Sequence, residues 1–256
     1  MKKIITVLAI AVAALGFTAC EMDNYDAPDA TLKGKFIDKV TGELLETSQG
    51  KGNMTLRIKE ISYAHGDETI VVSEQNLNVM HDGTFQNTKL FAGTYEMWPF
   101  ESCCYEGIQA MQTVELKSGK TTNIEFKVTP YFEVNWVDEP WQDAEGYVNA
   151  RMRFTCNPVP DASYTAAVPA KAQLFISTTV NVGTGSDSRY TNNEMDVTAL
   201  DEGNIVTLRT KAPIDYTQKF WLRLGVKPAV NTANGVFDKY CLSSVKTIDA
   251  TGVKSK

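Results

Sequence analysis

Hydrophobic and polar residues alternate along most of this chain. In NMTLRIKEI, Met54, Leu56 and Ile58 fall on one side while Thr55, Arg57 and Lys59 fall on the other. A repeat of two is that of a half-buried strand, because successive side chains leave a pleated backbone on opposite faces. Ile124, Phe126 and Val128 alternate with Asn123, Glu125 and Lys127 in the same way. So do Val148, Ala150, Met152, Phe154 and Cys156 with Asn149, Arg151, Arg153 and Thr155. Turn-forming pairs separate the runs: Thr41-Gly42, Asp82-Gly83, Ser118-Gly119, Glu202-Gly203 and Asn234-Gly235. Asp82-Gly83 reads as a type I′ hairpin, in which both central residues take positive φ. After the N-terminal apolar segment no stretch shows a capped 3.6-residue apolar period, so helix content is expected to be low. Many short strands with turns at this spacing predict β-sandwiches.

Pro130 marks a break, since proline cannot donate to a ladder and tends to end a strand. The pattern therefore divides the chain into residues 31–130 and 131–256. The second unit is expected to be an immunoglobulin-like sandwich with strands near 147–156, 171–179, 195–200, 204–210, 219–228 and 240–248. Its connection NVGTGSDSRYTNNE, 181–194, is rich in Gly and Asn and reads as a mobile surface loop.

The first 30 residues follow different rules. Lys2 and Lys3 precede an uncharged run from Ile4 to Phe17, the layout of a secretory signal peptide over 1–19. That run falls short of the about 20 apolar residues a spanning helix requires. Thr18, Ala19 and Cys20 resemble a bacterial lipobox, which implies a diacylglycerol-modified Cys20 followed by a tether over 20–30. Each buried methylene of an acyl chain contributes about 0.8 kcal/mol, so several chains hold a soluble domain at a bilayer without a spanning segment. Glu21, Asp23 and Asp26 resemble the surface-export signals of Bacteroidota lipoproteins. The implied location is the outer membrane, lipid-anchored and facing the extracellular side.

Cleavage after residue 19 would leave 23 basic residues against 31 acidic ones, since it removes two of the 25, for a net charge of −8. With no basic cluster, nucleic-acid binding is not expected. Apolar residues make up 43% of the chain, enough to build cores. Besides Cys20 there are Cys103, Cys104, Cys156 and Cys241. A Cys156–Cys241 disulfide between neighbouring strands is conceivable, the vicinal Cys103–Cys104 ring is strained, and free buried thiols are an equal alternative. No C-x-x-C spacing and no histidine at ligand distance from a cysteine points to a metal, and no cofactor is implied.

Three motifs carry a resemblance. Gly34 to Leu45 (GKFIDKVTGELL), Asp82-Gly83-Thr84-Phe85 and Leu90-Phe91-Ala92-Gly93-Thr94-Tyr95 resemble, in order, the carboxypeptidase regulatory-like domain, a transthyretin-type sandwich. In that reading Asp38 to Gly42 turn the chain out of the first strand and Asp82-Gly83 closes a hairpin. The whole chain, with Val128-Thr129-Pro130-Tyr131, Phe154-Thr155-Cys156-Asn157-Pro158 and Leu222-Arg223-Leu224-Gly225-Val226, resembles an uncharacterised family of two-domain Bacteroidota surface lipoproteins. The resemblance implies an accessory component of SusC/SusD-type glycan uptake systems, and it carries no catalytic or binding residues.

Candidate chemistry is sparse. His65 and His81 both sit in turn-like segments, poor places for a relay with a nucleophile. No glycine loop of the phosphate-cradling kind is present. A paired-carboxylate glycosidase site cannot be located among so many acids, and tandem sandwiches are not expected to enclose a deep pocket. The reading is therefore non-catalytic. Glycan binding places flat aromatics beside short polar residues, and three stretches fit. WPFESCCYEG offers Trp98, Phe100 and Tyr105. NWVDEPWQDAEGY offers Trp136, Trp141 and Tyr147 near the domain junction, and FWLRLGVK places Trp221 on a polar face with Arg223 and Lys227. The ligand-binding candidates are Trp98, Tyr105, Trp136, Trp141 and Trp221, with Trp141 foremost. The alternative is that these rings seal domain contacts, and that the protein is a structural, adhesion or transporter-docking module.

Overall fold

The computed structural model describes residues 27–253 except Glu68 and Ser188, and no side chains over 50–52. The signal peptide and Cys20 lie outside the described residues. Among the described residues no helix is long and apolar enough to cross a membrane.

The chain is all-β. In the first half, β1 (Ala30–Asp38), β4 (Thr84–Leu90) and β7 (Thr121–Val128) form a sheet in the order β4-β1-β7. The strands β2 (Gly50–Glu60), β3 (Gln75–Val79), β5 (Gly93–Phe100) and β6 (Gln112–Leu116) form a second sheet, β3-β2-β5-β6. β1 and β7 run parallel, and all other pairs are antiparallel. The alternating apolar positions face inward, and Phe36 stacks on Phe126 at 5.3 Å with Phe85 tilted against it at 5.5 Å. Gly34 allows this contact, since a Cβ there would overlap the Phe85 ring.

The second half builds β8 (Phe132–Trp136), β9 (Trp141–Gln142), β10 (Val148–Cys156) and β13 (Val206–Arg209) into one sheet around β10. The facing sheet contains β11 (Pro169–Ser177), β12 (Met195–Asp196), β14 (Gln218–Pro228), β15 (Cys241–Leu242) and β16 (Lys246–Ala250). Among the described residues no ladder joins the two halves. An isolated Cys104–Pro130 bridge lies at the end of the first half, and beside it the Tyr131 N–H donates to the Cys103 carbonyl at 2.9 Å.

Several local expectations change. At Asp82-Gly83 only Gly83 has positive φ, 75°, and Asp82 instead accepts hydrogen bonds from the Thr84 N–H and hydroxyl. The turn is therefore not type I′, and it passes the chain from β3 in one sheet to β4 in the other. Residues 240–248 split into β15 and β16, and 195–200 yield the short β12 followed by a 3₁₀ turn that Thr198 and Asp201 cap reciprocally. The 181–194 segment packs rather than projecting, with Val182 and Tyr190 buried and the Thr184 hydroxyl donating to Ser48 of the first domain at 3.1 Å.

β14 shows why that segment is held. Phe220, Leu222, Leu224 and Val226 face the sandwich core as the alternation requires. The opposite face is covered as well, by Phe175, Val182, Tyr240 and Leu242 around Trp221. Arg223, expected on a polar face, is 0% exposed. It pairs with Glu46 and donates to the carbonyl oxygens of Thr47 and His81, the latter at 3.1 Å. All three partners belong to the first domain, so Arg223 fastens one domain to the other. His81, expected in an exposed loop, is half-buried at this joint, whereas His65 is exposed.

Candidate functional site

Two grooves flank the joint between the domains. The linker is so short that each domain's loops lie against the other's, and concave surface forms on both sides of the contact. This differs from the expectation that tandem sandwiches leave no pocket.

The first groove, about 550 Å³, is aromatic. From the first domain, the end of β5 supplies Trp98 and Phe100, and the loop after it supplies Tyr105 and Gln109. From the second domain come Tyr164, on the loop between β10 and β11, and Phe237, just past a 3₁₀ turn over Thr232–Asn234. Trp98 and Phe100 share a strand face with Arg57 of β2, whose register partner is Trp98. The Arg57 guanidinium lies 3.1 Å from the Phe100 ring centre and is held by Glu74 at 2.8 Å and Asn76 at 2.9 Å. A stacked, doubly anchored arginine gives this wall a fixed shape.

The floor is made by tyrosines. Tyr105 meets Tyr131 edge-on at 5.0 Å and Tyr164 at 6.2 Å. Its hydroxyl donates to the Asn157 carbonyl at 3.3 Å and accepts from the Ala167 N–H at 3.2 Å, both in the second domain. Tyr131 donates to the Gly235 carbonyl at 3.1 Å and accepts from the Phe237 N–H at 3.3 Å. Burial pushes the Tyr105 and Tyr131 phenols above their ordinary range, so they stay protonated as donors. Around the rim, Glu101, Gln109, Ser163 and Asn234 are exposed. Glu101 is held at φ 45°, a left-handed conformation that non-glycine residues adopt at a cost of about 1–3 kcal/mol. The combination is half-buried rings beside exposed hydroxyl, amide and carboxylate groups, the usual lining of a small-molecule groove.

The second groove, about 420 Å³, is acidic, with Asp38, Glu43 and Glu133 around Cys103 and Cys241. Asp38 lies near Glu133, and Glu133 accepts from Asn157 at 2.7 Å. Burial, with Asp38 close by, pushes the Glu133 carboxyl up to about 7.

The five aromatics named from sequence take different places. Trp98 and Tyr105 line the aromatic groove but are each only 6% exposed, so they build its wall and floor rather than standing free. Trp136 pairs in register with the core residue Met152, and its indole N–H donates to the Ser244 carbonyl at 2.8 Å, sealing a sandwich edge. Trp221 packs in the covered outer face of β14, with Lys219 near its ring. Trp141 is 38% exposed, with Arg151 over its ring at 5.4 Å. It does not lie at the domain junction: β8 pairs with β10 from Cys156 back to Met152, so Trp141, beside Asn149, stands about 23 Å along the strand from the linker. Tyr164 and Phe237 were not singled out. The signal for Tyr164 was an aromatic in the polar, proline-bounded loop PVPDASYTAAVP, and for Phe237 its place just after Asn234-Gly235.

Two tandem β-sandwiches with a composite groove at their joint define the class of protein. Residues 30–129 match the family described as a protein of unknown function (DUF3823), N-terminal domain. Among solved structures, a DUF3823 family protein from Bacteroides uniformis is similar, with a TM-score of 0.71 and 24% identity over 87% of this chain and 100% of that one. A candidate carbohydrate-binding protein from Bacteroides uniformis gives a TM-score of 0.65 and 19% identity over 87% and 99%. A DUF3823 family protein from Parabacteroides merdae gives 0.60 and 21% over 88% and 100%. At these identities the likeness concerns the fold, and it extends over both domains. The comparison with curated proteins gave no match.

Proposed function

We propose that the protein is a non-catalytic glycan-binding module that takes a sugar chain in the aromatic groove between its domains. The observation that carries this reading is the pairing of half-buried Tyr164 and Phe237 with exposed Glu101, Gln109 and Asn234. Sugar rings stack their C–H faces on flat side chains while the polar rim bonds their hydroxyls. The candidate carbohydrate-binding protein of the same fold is consistent with it. In this proposal acyl chains on Cys20 hold the module on the outer face of the outer membrane, where it serves an uptake system of the SusC/SusD type.

The test is affinity electrophoresis of protein lacking residues 1–20 in gels containing a panel of polysaccharides. At least one glycan should retard the protein. Tyr164→Ala and Phe237→Ala should each weaken binding about tenfold, the effect of losing about 1.4 kcal/mol from one anchoring ring. Trp141→Ala should leave it unchanged. No retardation by any glycan, together with co-purification with membrane proteins, would favour the structural or docking role; loss of binding only in Trp141→Ala would move the site to the far end of the second domain.

A further inference from the structure

Three thiols converge at the waist between the domains, from positions far apart in the chain. Cys103 and Cys104 lie in the loop after β5, and Cys241 opens β15. All three are buried. The Cys241 thiol donates to the Cys103 carbonyl at 3.4 Å, and its sulfur accepts from the Phe132 N–H at 3.4 Å. Cys103 and Cys241 both line the acidic groove, whereas Cys104 lines the aromatic one. Cys156 stands in register with Phe132 on the neighbouring strand and is free, so the Cys156–Cys241 disulfide conceivable from sequence is not formed.

The three sulfurs are unequal. Hydrogen bonds from the Cys104 and Cys241 thiols hold the Cys103 thiol well below its ordinary range. Burial pushes Cys104 and Cys241 well above it. A thiolate, not a thiol, attacks a disulfide. Cys103 is thus the nucleophile of the group. Cys104 is excluded as its partner by the strain of a vicinal ring.

We propose that Cys103 and Cys241 form a reversible disulfide joining the two domains, made by exchange with a small disulfide that enters through the acidic groove. The Cys103 thiolate attacks one sulfur of the reagent and expels one small thiolate, leaving a mixed disulfide. Cys241 then loses its proton, displaces the second small thiolate from Cys103 and closes the protein S–S bond. The two protein thiols are oxidised, the reagent is reduced to two thiols, and each departing thiolate takes up one proton. The carboxylates of Asp38 and Glu43 in the groove select the reagent. A cationic disulfide is drawn in and an anionic one is repelled, an effect that salt weakens.

The experiment exposes full-length protein to cystamine or to oxidised glutathione, quenches with acid, unfolds, alkylates free thiols and maps non-reduced peptides by mass spectrometry. The expected result is loss of two alkylated sites, a Cys103–Cys241 linked peptide, and reaction about tenfold faster with cystamine at low salt. The difference should shrink in 0.5 M salt. Cys156→Ser, which leaves all three thiols of the cluster in place, should form the same bridge. Cys103 and Cys241 both still alkylated after prolonged exposure, or a bridge through Cys20, Cys104 or Cys156, would overturn the proposal. Equal rates for the two reagents at low salt would overturn entry through the acidic groove. None of these readouts depends on glycan binding.

Discussion

Replacing Arg223 with methionine should separate the contribution of the domain joint from that of either core. The wild-type guanidinium is fully buried, contacts Glu46, and donates to two first-domain carbonyls. Burial lowers its basicity to about 10, still far above neutral, so it is a buried cation at physiological pH. Methionine fills much of the same space but leaves the Thr47 and His81 carbonyls without their donor. Hydrogen bonds to a charged group contribute about 1.5–3 kcal/mol each, and removing one member of a buried pair costs about 3–5 kcal/mol. The Glu46 side chain is partly exposed and can rehydrate, which places the loss near the lower end, about 3 kcal/mol. Urea unfolding followed by tryptophan fluorescence reports on both domains, since Trp98 lies in the first and Trp136, Trp141 and Trp221 in the second. Glu46→Gln, which keeps the carbonyl contacts, should cost under about 1 kcal/mol. If Arg223→Met changes stability by less than about 0.5 kcal/mol, or if Glu46→Gln costs as much as it does, the carbonyl clamp is not what joins the domains.

Two further substitutions test the polar interior. Glu133 has a folded pKa of about 7 against 4.5 unfolded, so it holds a proton that the unfolded chain releases; its contribution is full below about pH 4.5 and is lost as pH rises through 7. Glu133→Gln should therefore gain about 1–2 kcal/mol at pH 8, allowing for solvent screening of a half-exposed group, and nothing at pH 4, as measured by urea midpoints; an equal change at both would refute the assignment. Asn53 buries both polar atoms of its amide without a partner among the described residues. Such groups cost about 1–3 kcal/mol, so Asn53→Leu should raise stability by about 1 kcal/mol in the same assay, and a loss would mean that the amide has a partner the protein alone does not supply.

Much of the fold was legible because alternation is a local property. Met54, Leu56 and Ile58, or Phe220, Leu222 and Leu224, point inward for the reason their spacing suggested. What failed was everything that depended on the second face of a strand. Arg223 and Trp221 alternate correctly with the core residues, but nothing within β14 announces that the first domain and the 181–194 segment cover them. The same limit governed the candidate site. Trp98 and Tyr105 came from a stretch that does line the groove, whereas Tyr164 and Phe237 reach it from segments about 60 and 130 residues away in sequence. Trp136 and Trp141 were adjacent to Pro130 along the chain, yet β8 carries them away from the joint before the strand turns back.

The contacts at the joint also bear on how the groove can work. Arg223 holds one side, and the Tyr105 hydroxyl, bonded twice to second-domain backbone, holds the other. Glu106 adds a buried anchor within the first domain, accepting from the Thr129 N–H and hydroxyl and pairing with Lys39 at 2.8 Å, so the start of the connection between β7 and β8 is fixed as well. Domains held on both sides of their joint have little freedom to hinge. A groove built between them is then already shaped before a ligand arrives, and the ordering cost that a closing cleft would charge against affinity is largely avoided. Under the proposed glycan-binding role, that favours an extended ligand that docks along a standing surface over one that must be enclosed.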